Sequence, residues 1–314
     1  MQSARLEGIS DHRKGVFYTI AAALLLSSAG LFIKALSLGP FQINLYRSLI
    51  AAPTILLVQR HRRQPLNLDL NVQTLACGLC YAGVMILFVA ATKFTTAANA
   101  VFLQYTSPAF LLVMEPLWFR LPFSRRDLLT VAACLAGMML FFTGRMEGGS
   151  VLGNLLAVAS GLSLALFSLL LKVIQRRHPE YETSGIIVLG NLLVVLICLP
   201  LALPHPALNL SQILALVYLG VFQLGLSWML FAAGMRFLSA TTAVITCMIE
   251  TVFNPLWVFL GIGERPSGFA IFGGMVMVGV LVWYHAGRTS AGTRREPPVR
   301  IPAFPEPDSI RPAD

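Results

Sequence analysis

Charge is scarce in this chain. Of its 314 residues only 12% are Asp, Glu, Lys or Arg, 56% are hydrophobic, and the mean hydropathy is +0.75. A soluble domain needs far more polar surface, so the soluble classes are excluded. Enzyme signatures are missing too: there is no H-E-x-x-H, no G-x-S-x-G, no Walker sequence and no Rossmann fingerprint. The five histidines, His12, His61, His178, His205 and His285, fall in loops or at the ends of apolar runs, where none is expected to serve as a buried base or ligand. Connections between the runs are short, which leaves no space for an extramembrane catalytic, receptor or nucleotide-binding domain. An enzyme and an ATP-driven pump are both disfavoured on that ground. Cysteine is sparse: Cys77, Cys80, Cys134, Cys198 and Cys247 all lie inside apolar runs, where a thiol acts as a small hydrophobe. Cys77 and Cys80 form a C-x-x-C without a second ligand pair, so no disulfide framework, catalytic residue, metal or other cofactor is expected.

What the chain has in abundance is apolar length. Ten runs, at 16–36, 43–59, 72–92, 97–119, 127–143, 152–172, 184–203, 212–234, 239–261 and 267–285, are each long enough to cross a bilayer as a helix. The expected fold is therefore an all-α integral membrane protein with ten transmembrane helices. The first run is too long for a signal-peptide core and reads as an uncleaved first helix. Basic residues gather at alternate connections: Arg5, Arg13 and Lys14; Arg60, Arg62 and Arg63; Arg120, Arg125 and Arg126; Arg176 and Arg177; Arg236; and the arginines after His285. The opposite connections hold little beyond Lys93, Arg145 and Arg265. This is the positive-inside pattern and puts both termini in the cytoplasm. It also accounts for the net charge of +9 without a nucleic-acid partner.

The second half of the chain echoes the first. Phe94, Ala97, Ala100, Val101 and Phe110 match Phe237, Ala240, Ala243, Val244 and Phe253 at a constant offset of 143, and Gly15 and Lys34 match Gly153 and Lys172 at 138. The chain thus divides into a cytoplasmic segment at 1–14, a five-helix repeat at 15–144, a connecting loop at 145–151, a second five-helix repeat at 152–285 and a basic, Pro-rich tail at 286–314, expected to be disordered. Five crossings is an odd number, so the second repeat must be inverted relative to the first. Inverted repeats around a midplane site are a common basis of alternating access in secondary transporters. Pro108, Pro116 and Pro255 fall inside runs four and nine, where a missing backbone donor should kink the helix.

An ionisable group deep in a membrane needs a reason. Glu250 lies near the centre of run nine, and Thr242, Thr246, Glu250 and Asn254 recur every four residues, which draws one polar stripe down an apolar helix. Glu250 could bind a cationic group of a substrate, carry a coupling proton, or tie helices together by hydrogen bonds. Its partner at the repeat offset is Ser107, so the halves are chemically unequal. Gln104, Pro108 and Glu115 share a face of run four, with Arg120 in reach of Glu115, which suits a salt-bridged gate or a solvated helix end. Tyr81, Gln223, Ser227 and Trp228 could line a cavity for an amphipathic solute, while Ser27, Ser28, Ser160 and Ser163 equally fit small packing positions. Lys34 and Lys172 end the first helix of each repeat, where they could snorkel or gate. Arg47, one turn inside run two, could meet an anionic group. The substrate-binding candidates are Glu250, Gln104, Tyr81, Gln223, Ser227, Trp228 and Thr246; the coupling or gating candidates are Glu250, Glu115, Arg47, Lys34 and Lys172.

The stretch CMIETVFNPLWVFLGIGERPSGFAIFGGMVMVG resembles the drug/metabolite transporter superfamily, and within it the EamA-type permeases, in its acid, its proline-containing helix, its G-E-R and its Gly-rich last helix. On that match Glu250, Pro255, Glu264, Gly273 and Gly274 fall on motif positions. Arg47 in NLYRSLIAA looks like the family's arginine of the second helix, and YTSPAFLLVMEPLWFRLPFSRRDLL keeps Pro108 but has Arg125 near where the family carries a loop glutamate. The resemblance spans roughly residues 15–285. It implies an inner-membrane secondary transporter that moves a small organic metabolite, such as an amino acid or a toxic compound, outward without ATP hydrolysis. A central cavity between helices one to four and six to nine is expected, with five and ten peripheral. Expected partners are the small-molecule substrate and the lipid bilayer, with a proton as candidate coupling ion and a homodimer left open. A passive channel or a structural membrane subunit is the alternative.

Overall fold

In lipid a backbone N–H or C=O has no water to turn to, so each must be satisfied within its own segment. The apolar runs accordingly fold as helices in the computed structural model, which describes residues 2–64, 70–95, 97–141, 150–204, 207–253, 257, 260 and 268–290. Among the described residues there is no strand. In chain order the helices are α1 (Gln2–Leu26), α2 (Ala29–Ala35), α3 (Pro40–His61), α4 (Val72–Phe94), α5 (Ala97–Gln104), α6 (Ser107–Phe119), α7 (Arg125–Phe141), α8 (Val151–Arg177), α9 (Ser184–Leu201) and α10 (Leu210–Tyr218). A π-helical segment, Leu219–Leu226, then leads into α11 (Ser227–Phe237), followed by α12 (Ala240–Cys247) and a last helix, here α13 (Gly268–Ser290).

Among the described residues, seven helical stretches are long and apolar enough to cross a membrane: Ser10–Ala35, Pro40–His61, Val72–Phe94, Asn99–Phe119, Val151–Arg177, Ser184–Leu201 and Leu210–Phe237. Ala240–Phe253 and Ile271–Gly287 are shorter apolar helices. The chain is thus an all-α, multi-pass membrane protein. α1 starts at Gln2, so the expected N-terminal segment is helical and continuous with the first run; its Gln, Ala, Arg, Leu and Glu are good helix formers that propagate the helix beyond the apolar stretch. α13 likewise runs on to Ser290, past the expected start of the tail. Positions 142–149 of the expected inter-repeat loop and its neighbourhood, Asn254, Pro255, Glu264 and positions 291–314 lie outside the described residues.

The helices pair across the two halves. α4 packs along α8, α1 along α11, and α3 along α9 and the π segment, while α7 and α13 pack on each other. Gly15 and Gly153 permit the first two of these contacts at their ends. A Cβ at Gly15 would lie 2.8 Å from Leu238 Cγ, and one at Gly153 would lie 2.8 Å from the backbone of Phe94 and Thr95.

Among the described residues, four of the ten apolar runs are interrupted. The first breaks at Ser27–Ser28, whose hydroxyls donate back to the carbonyls of Leu24 and Leu25 at 2.6 and 2.9 Å and so compete with the helix ladder. The fourth breaks at Tyr105–Thr106, because Pro108 opens α6 and its ring is incompatible with a continuous bond to the Gln104 carbonyl. Gly161 of α8 lets that carbonyl approach: a Cβ there would sit 2.6 Å from it. The eighth widens into the π segment, and the ninth turns at Met248–Ile249 between α12 and the helical turn that follows.

Candidate functional site

All four interruptions open onto one central cavity of about 550 Å³. Leu26 and Ala29 line it from either side of the first break, Gln104 and Tyr105 from the second, Gln223 from the π segment, and Cys247 and Glu250 from either side of the last. Irregular backbone at membrane depth is tolerated where it faces a cavity, and π segments recur at functional sites. The uninterrupted helices α3, α4 and α8 complete the wall with Arg47, Val84, Met85, Phe88 and Leu164, and α11 adds Trp228 and Phe231.

The polar groups of this wall are placed by short networks. Arg47 is 1% exposed. Its guanidinium donates to Asn44 Oδ1 at 2.9 Å, to Gln223 Oε1 at 3.4 Å and to the Met85 carbonyl at 3.4 Å, while Nε has no hydrogen-bond partner among the described residues. Gly220 makes room for this contact, since a Cβ there would lie 2.9 Å from the Arg47 carbonyl. Trp228 Nε1 is a second buried donor of this wall without a partner among the described residues. Its ring is held edge-on by Tyr81, Phe167 and Phe231, with centroids 5.1, 5.4 and 5.4 Å away. The Tyr105 hydroxyl, also at the cavity, lies 2.6 Å from Glu250 Oε2 and 2.8 Å from the Cys247 carbonyl, one of the groups freed by the break after α12. Gln104 donates to Ser160 Oγ at 2.9 Å, and Ser160 donates to the Val84 carbonyl at 3.2 Å.

Of the residues singled out for substrate binding, Glu250, Gln104, Gln223 and Trp228 line the cavity, and so does Arg47. Tyr81 stands behind Trp228, accepting from Asn191 Nδ2 at 3.1 Å, with Gly190 leaving room for its ring. Ser227 donates to the Gln223 carbonyl within the eighth crossing. Thr246 donates to the Thr242 carbonyl at 2.6 Å and meets His285 Nε2 at 3.1 Å. His285 Nδ1 in turn lies 3.3 Å from His12 Nε2, so the first and last helices meet through two histidines that read, in sequence, as isolated helix-end residues. Tyr105 was not singled out. The signal lay in its place beside Gln104, within the break that Pro108 dictates.

The remaining charged candidates bind backbone at helix ends. Lys172, 7% exposed, donates to the carbonyls of Met235 and Arg236 at 2.7 and 3.4 Å, at the C terminus of α11. Lys34 donates to the Thr95 carbonyl at 2.9 Å, just past α4, and Lys93 returns the contact to Leu36 at 2.6 Å. Cations belong at helix C termini, where carbonyls lack partners and the dipole is negative. Glu115 does the opposite. Its carboxylate accepts from the backbone N–H groups of Ala240 and Thr241 at 2.9 and 2.8 Å and from the Thr241 hydroxyl, so it caps the N terminus of α12 rather than pairing with the exposed Arg120.

The comparisons with known proteins agree with this picture. A relative from Pseudomonas aeruginosa, described as a pseudopaline exporter CntI, is 27% identical over 276 residues, covering 85% of this chain and 94% of its own length. An uncharacterized transporter of Methanothermobacter thermautotrophicus is 24% identical over 210 residues, a match that spans only 61% of that relative and 65% of this chain. A solved structure superposes with a TM-score of 0.72 at 19% identity, covering 85% of this chain and 96% of its own, which speaks to the fold alone. The profile of the EamA-like transporter family matches residues 13–143 and 151–284, and with nearly the whole helical body covered, the chain belongs to the EamA-like transporter family, within the drug/metabolite transporter superfamily.

Proposed function

We propose that the chain is a secondary active transporter of ten membrane crossings, arranged as two inverted five-helix repeats, which exports a small zwitterionic or amphipathic metabolite of amino-acid type by alternating access. The observation that carries this reading is the chemistry of the cavity. Arg47 and Glu250, opposite charges on different halves of the chain, line the same enclosed space between aromatic walls. Arg47 Nε and Trp228 Nε1 offer two buried donors without a partner among the described residues, which suits a carboxylate, while Glu250 offers an acceptor to an ammonium group. The tandem family match and the equivalent placements of Gly15 with Gly153 and of Lys34 with Lys172 support the repeat. The basic residues at alternate connections support cytoplasmic termini in the inner membrane, and the relative described as an exporter supports the outward direction.

A hydrogen-bond count supports coupling to protons. One Tyr105 hydroxyl proton faces two acceptors, the Cys247 carbonyl and Glu250. When Glu250 carries a proton it donates to the Tyr105 oxygen and leaves the tyrosine proton for the carbonyl; when it is ionised, the two acceptors compete for one donor. A bound ammonium group could replace that proton on Glu250.

The test is uptake of a mixed amino-acid and metabolite panel into proteoliposomes, read by mass spectrometry with and without an imposed pH gradient. Enrichment of zwitterionic solutes, saturation and counterflow are expected, and Glu250→Gln should abolish the gradient dependence in a protein that still inserts and folds. Flux that neither saturates nor exchanges would replace the carrier with a channel. Unchanged coupling in the variant would remove Glu250 from that role.

A further inference from the structure

Two glutamines, Gln104 and Gln223, line the central cavity, and their hydrogen-bond partners fix which way each amide points. Arg47 has donors only, so the atom of Gln223 that meets Arg47 Nη1 at 3.4 Å is the carbonyl oxygen, and its NH2 group is the end left for a ligand. At Gln104 the assignment is reversed. The one proton of Ser160 goes to the Val84 carbonyl at 3.2 Å, which leaves Ser160 Oγ to the cavity wall only as an acceptor. The group that meets it at 2.9 Å is therefore the NH2 group of Gln104, and no donor among the described residues reaches the Gln104 oxygen. We propose, resting on the amino-acid-type reading of this cavity, that Gln104 is a specificity-determining residue of the transport site: its oxygen accepts a second N–H of the ammonium group that Glu250 binds, so that primary and secondary ammonium zwitterions are taken and tertiary and quaternary ones are rejected.

Gln104 is well placed for that task. It adjoins Tyr105 in the chain, both line the cavity, and the Tyr105 hydroxyl bonds Glu250 Oε2 at 2.6 Å. Glu250 Oε1 has no partner among the described residues, so two acceptor oxygens, one charged and one neutral, are left at the same cavity. The donors Arg47 Nε, Trp228 Nε1 and the Gln223 NH2 group form the complementary set.

The residue is also held. Ser160 fixes its amide, and the next residue of α8, Gly161, lets the helix pack directly on its backbone, since a Cβ there would lie 2.6 Å from the Gln104 carbonyl. An acceptor fixed in a wall that otherwise offers Leu26, Val84, Phe88 and Leu164 is costly to leave without a donor. One N–H cannot satisfy both oxygens, whereas two can. The selection is therefore by count of N–H groups and not by charge.

N-methylation tests this because it removes N–H groups and keeps the positive charge on nitrogen. An N-methyl amino acid still has one N–H for each oxygen, an N,N-dimethyl amino acid has one for both, and an N,N,N-trimethyl amino acid has none. Proteoliposomes of the full-length chain are screened by counterflow with the proteinogenic amino acids, and each one that exchanges is competed with its three methylated derivatives. In the wild type the first methyl group is expected to change apparent affinity by less than about threefold and the second to weaken it at least about tenfold, the scale of one hydrogen bond to a charged group. Gln104→Leu should weaken binding of the parent amino acid about tenfold and move the step to the third methyl group, because Glu250 needs only one N–H. Gln104→Glu retains an acceptor and should keep the step at the second methyl group, which separates hydrogen bonding from crowding by methyl groups. Ser160→Ala frees the amide to turn and should blunt the step, and it serves as the probe if Gln104→Leu does not insert and fold. The absence of a step at the second methyl group in the wild type, or a step that Gln104→Leu leaves unchanged, overturns the role of Gln104 and leaves the amino-acid reading standing. If no amino acid exchanges, that reading fails and the role of Gln104 falls with it.

Discussion

Two helix junctions hold corresponding places in the two halves of the chain, and they are fastened differently. At the α4–α5 junction Lys34 reaches the Thr95 carbonyl, the Thr95 hydroxyl donates to Asn154 Oδ1 at 2.9 Å, and Asn99 donates back to that hydroxyl at 3.3 Å. At the α11–α12 junction Lys172 holds the last carbonyls of α11 while Glu115 holds the first N–H groups of α12. The first fastening is a lysine with hydroxyl and amide groups. The second is a buried cation and a buried anion, each facing the pole of a helix dipole that it favours. The proposed repeat can therefore keep its glycine and lysine in both copies and still make the two ends unequal in strength. In the alternating-access cycle proposed above, the stronger clasp would set which end opens at the greater cost.

The largest effect should come from the one anion. Glu115 is 3% exposed and serves three donors, and charge-assisted bonds of this kind are worth about 1.5 to 3 kcal/mol each before desolvation is counted. Glu115→Ala leaves two backbone donors of α12 and the Thr241 hydroxyl without that acceptor in a buried place. A loss of about 3 kcal/mol is expected in unfolding measured in detergent, with Glu115→Gln recovering roughly half because its carbonyl still accepts. An alanine variant as stable as the wild type would mean that the clasp contributes nothing.

Much of this could be read in the sequence, and the exceptions share a cause. Membrane insertion follows from hydropathy alone, and the break in the fourth crossing follows from Pro108 because proline acts on its own helix. Glu115 was placed beside Arg120 by proximity in sequence, whereas its partners lie more than a hundred residues away on α12. The π segment accompanies two features of different origin: the bond from Ser227 back to the Gln223 carbonyl, which is local, and the close approach of Gly220 to Arg47, which is a product of packing. His285 looked like a helix-end residue and meets Thr246 only because the last helix lies against the ninth crossing. Local rules carried the elements, and tertiary contacts decided which polar side chains face the cavity.

The paired glycines test the same comparison through space rather than charge. A Cβ on Gly153 would meet the backbone of Phe94 and Thr95 at 2.8 Å, which only a shift of α8 or of the α4–α5 junction can relieve. A Cβ on Gly15 meets Leu238 Cγ at 2.8 Å and Phe237 Cβ at 2.9 Å, side-chain atoms with more freedom to move. Gly153→Ala should cost about 1 to 3 kcal/mol and Gly15→Ala clearly less, by the usual scale of overpacking. Equal costs in thermal unfolding would show that the two interfaces give way alike.

The smallest difference expected is between the lysines. Lys172 is buried and bonds two carbonyls, whereas Lys34 is exposed and bonds one. Replacing either by methionine keeps most of the apolar stem and removes the charge, so the change reports the cap rather than the packing. Lys172→Met gains by no longer burying a cation and loses by removing the donor to the carbonyls of Met235 and Arg236, and the loss should dominate because the end of α11 at Met235 is buried. A net loss of about 1 kcal/mol is expected there, against about 0.5 kcal/mol or less for Lys34→Met, where solvent takes the place of the ammonium. Unfolding of the two variants in one detergent series decides it. If Lys172→Met is the more stable protein, the buried charge is kept for a reason other than stability.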